Sequence, residues 1–195
     1  FLRNLQRGEA YQIEAPSLWD VTFKTAVAQA ELEDREQPSA YHQLKFHSST
    51  DNTEIIIDTT RPELLPACVA LVTPPEDTRY QNLLGTTATT PIFGVEVPVL
   101  SHELADPDKG TGIAMVCTFG DTTDVTWWRE LELPVRAIID RSGRITSHPP
   151  EAITSEEGLE AFKLMAGKTI FSAKKEIVRL LQEAEEMVGE PRPIN

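Results

Sequence analysis

Tyr41-His42-Gln43-Leu44-Lys45-Phe46-His47 alternates polar and apolar residues, Ser48-Ser49-Thr50-Asp51-Asn52 is a polar turn-forming run, and Glu54-Ile55-Ile56-Ile57-Asp58-Thr59-Thr60 resumes the extended pattern. A period of two on either side of five turn residues predicts a β-hairpin with a longer connection. Working outward, further short strands are expected at Cys68–Val72, Ile92–Leu100, Gly112–Thr118 and Val135–Asp140. Arg141-Ser142-Gly143-Arg144 reads as a turn into Ile145-Thr146. Helical periodicity marks Val125–Leu131, Ser155–Met165 and Ser172–Met187, the last with Ile177, Leu180, Leu181 and Ala184 on one stripe. Val21–Glu36 also has helical composition. Strands fill the middle and helices the ends, and 14 scattered prolines disfavour a helical bundle. The fold class predicted is α+β, with a β-barrel-like core and peripheral helices.

The 195 residues are enough for one large or two small domains with a real core. No run approaches the roughly 18 apolar residues of a membrane helix, so no membrane partner is expected. The chain opens Phe1-Leu2-Arg3-Asn4, without an initiator Met or an apolar leader, which suits a piece of a longer protein. With 31 acidic against 18 basic residues the net charge is −13, which argues against gripping nucleic acid by charge alone. Two cysteines, Cys68 and Cys117, form no disulfide framework or CxxC knuckle, and a reducing compartment is expected.

Catalytic signatures are sparse. The four histidines lack HxH or HxxxH spacing, which disfavours a zinc site, and no GxSxG, GxGxxG or GxxxxGK[ST] occurs. Both cysteines lie in apolar runs that suggest buried, inert thiols. Two stretches remain. Asp58-Thr59-Thr60-Arg61-Pro62-Glu63 carries a strand into a polar tip, where Thr59 and Thr60 can share a pocket only if the strand is ending. Gly110 to Asp124 runs from a Gly-containing turn through a strand to Gly120-Asp121, with Asp121 placed to cap a helix and Asp124 three residues on. A capping role alone accounts for both acids. A strand end meeting a helix start also suits a small-molecule site, where a carboxylate can hold an ammonium group. Asp106-Pro107-Asp108-Lys109-Gly110 reads as a tight turn, and of Trp127 and Trp128 one is expected in the core.

Taken together, these blocks resemble the editing (CP1) domains of the class I aminoacyl-tRNA synthetases for Val, Ile and Leu. Thr59-Thr60-Arg61-Pro62-Glu63 is similar to the family's threonine-rich signature and Gly94-Val95-Glu96-Val97-Pro98-Val99 to its G-x-E-[IV]-P strand. Asp106 to Gly112 resembles its D-P-x-x-G-T-G stretch, and Asp121-Thr122-Thr123-Asp124 its H-D-x-x-D element. The blocks keep the family's order and spacing over Tyr41–Arg144. Trp19-Asp20, Thr25–Glu33 and the segment from Gly167-Lys168-Thr169-Ile170 to Gly189-Glu190-Pro191 look valyl-type. There are departures. Leu64-Leu65-Pro66-Ala67 stands where the family often has T-L-L-G, Met115 and Cys117 replace a Lys and a Thr, and Gly120 replaces the His.

The resemblance implies a connecting segment over residues 1–37 and an editing domain with a C-terminal helical return over 38–195. It implies hydrolysis of threonine mischarged onto tRNA(Val), in a cytoplasmic protein. A hydrophobic pocket that holds Val rejects Thr by only about 10², the established figure for this family, so a second, hydrolytic sieve is needed. The implied partners are the tRNA(Val) 3′ end and the rest of the parent synthetase. No cofactor is implied for this domain, since the parent uses ATP and Mg elsewhere. Matched by position, Asp124 corresponds to the acid that anchors the α-ammonium and Asp121 to a second acid of the catalytic pocket. Thr59, Thr60 and Arg61 would lie near the terminal adenosine, with Thr118, Thr123, Met115 and Cys117 completing the substrate-binding set. Two alternatives stay open: an insertion that docks the acceptor end without efficient hydrolysis, and an isoleucyl- or leucyl-type editing domain.

Overall fold

The computed structural model describes residues 1–11, 16–31, 33 and 38–194. Two compact units divide the chain, residues 1–33 and 34–195. In the first, helix α1 (Leu2–Gln6) precedes the antiparallel pair β1 (Leu18–Asp20) and β2 (Thr25–Val27). The expected helix over Val21–Glu36 does not form within the described residues. Asp20 Oδ1 instead accepts from the backbone N–H of Thr22 at 2.7 Å and of Phe23 at 2.8 Å, an Asx turn that sends β-branched Thr25 and Val27 into a strand. A single 3₁₀ turn, Gln29–Glu31, follows, and residues 32 and 34–36 of that expected helix lie outside the described ones. So do residues 34–37, against which the expected domain boundary falls.

The second unit is built on the predicted hairpin. Strand β3 (Ser39–Ser48) pairs antiparallel with β4 (Glu54–Thr59), in register from His42↔Thr59 to His47↔Glu54, and Asn52 takes the left-handed turn position. Then come β5 (Ala70–Thr73), β6 (Thr87–Thr89), β7 (Glu96–Ser101) and β8 (Ala114–Val116), and after three helices β9 (Met187–Ile194). The sheet order is β4-β3-β6-β7-β5-β8, with β9 off this path and paired to the Ser39–Leu44 stretch of β3. Because β8 returns alongside β4, the sheet nearly closes into a barrel. Helices α2 (Thr122–Glu130), α3 (Glu156–Met165) and α4 (Ile170–Glu183) pack against the sheet. The α+β class with a barrel-like core and peripheral helices therefore holds.

Alternation decides what fills this barrel. Leu44 and Phe46 of β3 and Ile55 and Ile57 of β4 point inward, meeting Phe162, Met165, Ile177 and Leu181 from α3 and α4. Strand β5 is buried on both faces, so it reads as an unbroken apolar run. Leu71 joins the main core, while Ala70 and Val72 face a second cluster with Val116, Trp127 and Leu133 beneath α2. Trp127 is the core tryptophan, and Trp128 packs partly exposed against the same cluster. Each long helix is capped as its sequence suggests: Asp121 accepts from Asp124 N–H, Ser155 from Gly158 N–H and Thr169 from Ser172 N–H.

Several boundaries differ from expectation. The strand expected from Ile92 starts only at Glu96, because Ile92 and Gly94 both adopt positive φ in a turn. Val135–Asp140 forms no strand. Glu132 is left-handed, Pro134 lacks an N–H, and the Arg136 N–H donates to Thr118 Oγ1, leaving only the isolated bridge Ile139↔Ile145. Helix α4 stops at Glu183 and Glu185 turns the chain, so Met187 opens β9 instead of closing the helix. Truncating fully buried Ile177 to Ala should lower unfolding free energy by about 2–5 kcal/mol, while Val135→Ala at an exposed site should change it by less than about 0.5 kcal/mol. Urea titrations of the two variants check this.

Candidate functional site

A cavity of about 550 Å³ opens where β4 ends beside the β8–α2 turn. Strand β4 terminates at Thr59, so the two-residue alternation stops and Thr59 and Thr60 both line the cavity. The Arg61 N–H donates to Thr59 Oγ1 at 3.1 Å, bending the backbone out of the sheet. The Arg61 guanidinium donates through Nε to Glu63 Oε1 at 3.2 Å and through Nη1 to the Gly120 carbonyl at 3.1 Å. Glu63, only 2% exposed, holds the guanidinium in place, and the bond to Gly120 fastens one cavity wall to the other. From α4, Lys174 Nζ donates to the Thr60 carbonyl at 2.7 Å, fixing the same corner from behind.

The loop from Asp106 to Gly112 forms another wall. Arg79 Nη2 donates to the Pro107 carbonyl at 2.9 Å and the Tyr80 hydroxyl to the Thr111 carbonyl at 2.6 Å. Gly112 has a φ of 82°, and a Cβ there would sit 2.9 Å from the Pro107 oxygen. Only glycine satisfies both demands. Lys109, Gly110 and Asp106 line the cavity, so the segment is more than a turn.

Strand β8 and the start of α2 supply the chemistry. Met115, Cys117, Asp121, Thr123 and Asp124 all line the cavity. Asp121 Oδ1 accepts the Asp124 N–H at 2.9 Å, the capping contact foreseen from sequence. Asp124 is 8% exposed, and its carboxyl is pushed up to about 7, first by burial and then by the charge of Asp121. The backbone amides of Gly120, Asp121 and Cys117 pull it the other way. A side chain at position 120 would collide with Asp124 Oδ2, so glycine at this position leaves room for the carboxylate. Burial, and then the Cys68 thiol, raise the Cys117 thiol well above its ordinary value, so it is a protonated, poor nucleophile.

Eight of the nine residues singled out from sequence meet at this cavity: Thr59, Thr60, Arg61, Met115, Cys117, Asp121, Thr123 and Asp124. Thr118 is not among the residues that line it. Its left-handed backbone (φ 54°) turns the chain at the end of β8, and its buried Oγ1 accepts the Arg136 N–H at 3.1 Å, away from the cavity lining. Sequence reasoning missed Tyr41, Asp58 and Lys109, which also line the cavity. The signal for Asp58 was present as a lone acid following three isoleucines in a strand. Among the described residues, no group of three or more His, Cys, Asp or Glu side chains is arranged to hold a metal ion. Nor is any helix long and apolar enough to cross a membrane.

No family model matches the chain. Over 194 residues it is 67% identical to the valine–tRNA ligase of Leifsonia xyli subsp. xyli (strain CTCB07), covering 100% of this chain and 22% of that protein. Over its whole length this chain is therefore similar to one part of a valine–tRNA ligase. With the corresponding enzyme of Thermobifida fusca (strain YX) the identity is 65%, again over 100% of the chain and 22% of the relative. The chain thus spans about a fifth of the length of the curated relatives it matches. Its fold matches part of the agnB2 LeuRS of Agrobacterium radiobacter K84, solved in a ternary complex with tRNA and LeuAMS, at a TM-score of 0.56. That match covers 80% of this chain and 20% of the other at 17% identity, so it speaks to fold alone.

The raised Asp124 carboxyl has a stability consequence of definite sign. Its folded value, about 7, lies above the ordinary 3.8, so the folded state holds the proton more tightly. The stability it contributes is complete below about pH 4 and is lost as pH rises through about 7. Relative to the unmodified chain, Asp124→Asn should be more stable by on the order of 1–4 kcal/mol at about pH 8 and nearly equal at about pH 4. Paired urea titrations at the two pH values measure the difference.

Proposed function

We propose that this chain is the proofreading segment of a valine–tRNA ligase and that it hydrolyses threonine from mischarged tRNA(Val). One observation carries the reading: Asp124 is a buried carboxyl beside a second acid, in a threonine-lined cavity of about 550 Å³. Such a carboxyl is under-compensated when alone. The α-ammonium of an aminoacyl ester offsets the burial, favours the ionised form and is itself anchored, while uncharged ester analogues gain nothing there.

Discrimination follows from polarity. A buried group that bonds the threonine hydroxyl is left unpaired by the methyl of valine, a loss of about 1–3 kcal/mol. Thr59, Thr60 and Thr123 are the cavity-lining hydroxyls suited to that role, since Met115 and Cys117 present softer, weakly polar surfaces. With the Cys117 thiol protonated, water is the attacking group on the ester carbonyl. No cavity residue stands out as a general base. The acceleration comes from orientation, with Asp124 holding the amino acid and the ribose hydroxyl beside the ester assisting the water.

Within the parent, residues 1–37 would connect and 38–195 would form the editing body. The net charge of −13 leaves most of the grip on tRNA to other parts of the synthetase, which would use ATP and Mg elsewhere and reside in the cytoplasm. The editing segment itself needs no cofactor in this scheme. A second reading rests on Met115, Cys117 and Gly120, which depart from the usual valyl pattern: the cavity would dock the acceptor end without efficient hydrolysis.

Single-turnover deacylation separates the two. In the parent synthetase, threonyl-tRNA(Val) should be hydrolysed much faster than valyl-tRNA(Val). Asp124→Ala should slow the reaction by about 10- to 150-fold or more, with valine activation intact. Near-normal deacylation by Asp124→Asn would show the acid to be structural, and no deacylation by the unmodified enzyme would leave the docking reading.

A further inference from the structure

Asp58 faces the cavity with half of its hydrogen-bonding capacity unused. Its side chain is 2% exposed. Oδ2 accepts from Arg192 Nη2 at 2.6 Å, whereas Oδ1 is buried and has no partner. Arg192 lies on β9, opposite Tyr41 of β3, so the guanidinium reaches across one strand to β4. From the other side the Asp106–Gly112 loop closes down: a Cβ on Gly110 would sit 2.8 Å from the Asp58 Cβ. Asp58, Tyr41, Lys109 and Gly110 all line the cavity.

A buried carboxylate oxygen without a donor is destabilising unless a ligand supplies one. Charge selects the kind of donor. Arg192 already balances Asp58, so a cation finds no net charge there, and a neutral O–H donor fits the vacant oxygen best. Asp124 is the opposite case, since the charged group acting most on it is another acid, Asp121. The two carboxylates therefore suit different parts of one ligand. An aminoacyl ester of a nucleoside carries both parts, an ammonium on the amino acid and a free hydroxyl on the sugar.

We propose that Asp58 Oδ1 is the acceptor for a ribose hydroxyl of the terminal nucleoside, held ready by Arg192. The assignment rests on the proofreading reading for the identity of the nucleoside, but its test does not require hydrolysis. Fixing the free hydroxyl next to the ester orients both the sugar and the carbonyl, so Asp58 is a positioning residue.

The test is ligand-observed NMR titration of the 195-residue chain with adenosine and with 2′,3′-dideoxyadenosine, neutral probes unaffected by the chain's acidity. The unmodified chain should bind adenosine about tenfold or more tightly than the dideoxy compound, as a hydrogen bond to a charged acceptor implies. In Asp58→Ala the ratio should fall to about one. Asp58→Asn, which keeps the shape, should give an intermediate ratio and guards against misfolding of the alanine variant. Arg192→Ala should keep the preference for adenosine and also strengthen binding of 3′-amino-3′-deoxyadenosine, because the carboxylate then carries net charge. An unchanged ratio in both Asp58 variants, or no preference in the unmodified chain, overturns the proposal. Failure of threonyl-tRNA(Val) deacylation in the parent enzyme strikes the proofreading reading instead and leaves the nucleoside ratio to stand or fall separately.

Discussion

The site depends on the Arg61 guanidinium, which joins two chain segments about sixty residues apart. Through Nε it meets the buried Glu63, and through Nη1 the carbonyl of Gly120, the residue before the cap of α2. A carboxylate as buried as Glu63 is costly without a partner, and Arg61 supplies it, which keeps the guanidinium in place. The bond from Arg61 to the Gly120 carbonyl then holds the distance between the end of β4 and the start of α2, and so between the threonines and the acids. The planar fork of Arg can serve both acceptors at once, which a Lys ammonium matches poorly.

Support for that corner comes from outside the barrel. Helix α4 buries Ala173, Ile177 and Leu181 against the core and extends Lys174 to the Thr60 carbonyl. Its N-cap, Thr169, lies beside the bridge to Arg144. The helices thus act as a brace for an irregular strand end. The nearby His42 is buried and held below its ordinary value, first by desolvation and then by Lys174, so it adds no positive charge to the corner.

What sequence alone made legible follows from periodicity and chemistry. The β3–β4 hairpin, the three long helices and the Asp121–Asp124 cap were readable because each rests on local spacing. Strand β6, with only Thr87–Thr89, is too short to show a period, and β9, with Pro191 and Pro193, carries a composition that argues against a central strand. Both are defined by their partners in space. Thr118 stands apart from the cavity lining because its left-handed backbone turns the chain at the end of β8, which no residue spacing foretells. Asp58 was passed over because the same alternation puts it on the face away from Ile55 and Ile57, and only the return of β9 and the Asp106–Gly112 loop bury it.

The prolines of β9 have a bearing on colloidal behaviour. Among the described strands it pairs only with β3, so its far side is an edge that could template a neighbouring chain. Pro191 and Pro193 each remove a backbone donor from it, and Gly189, at a φ of 63°, breaks its extended run. The edge offers a broken ladder to any incoming strand. A nearly closed barrel can thus keep one open flank without becoming adhesive, even when handled at high concentration.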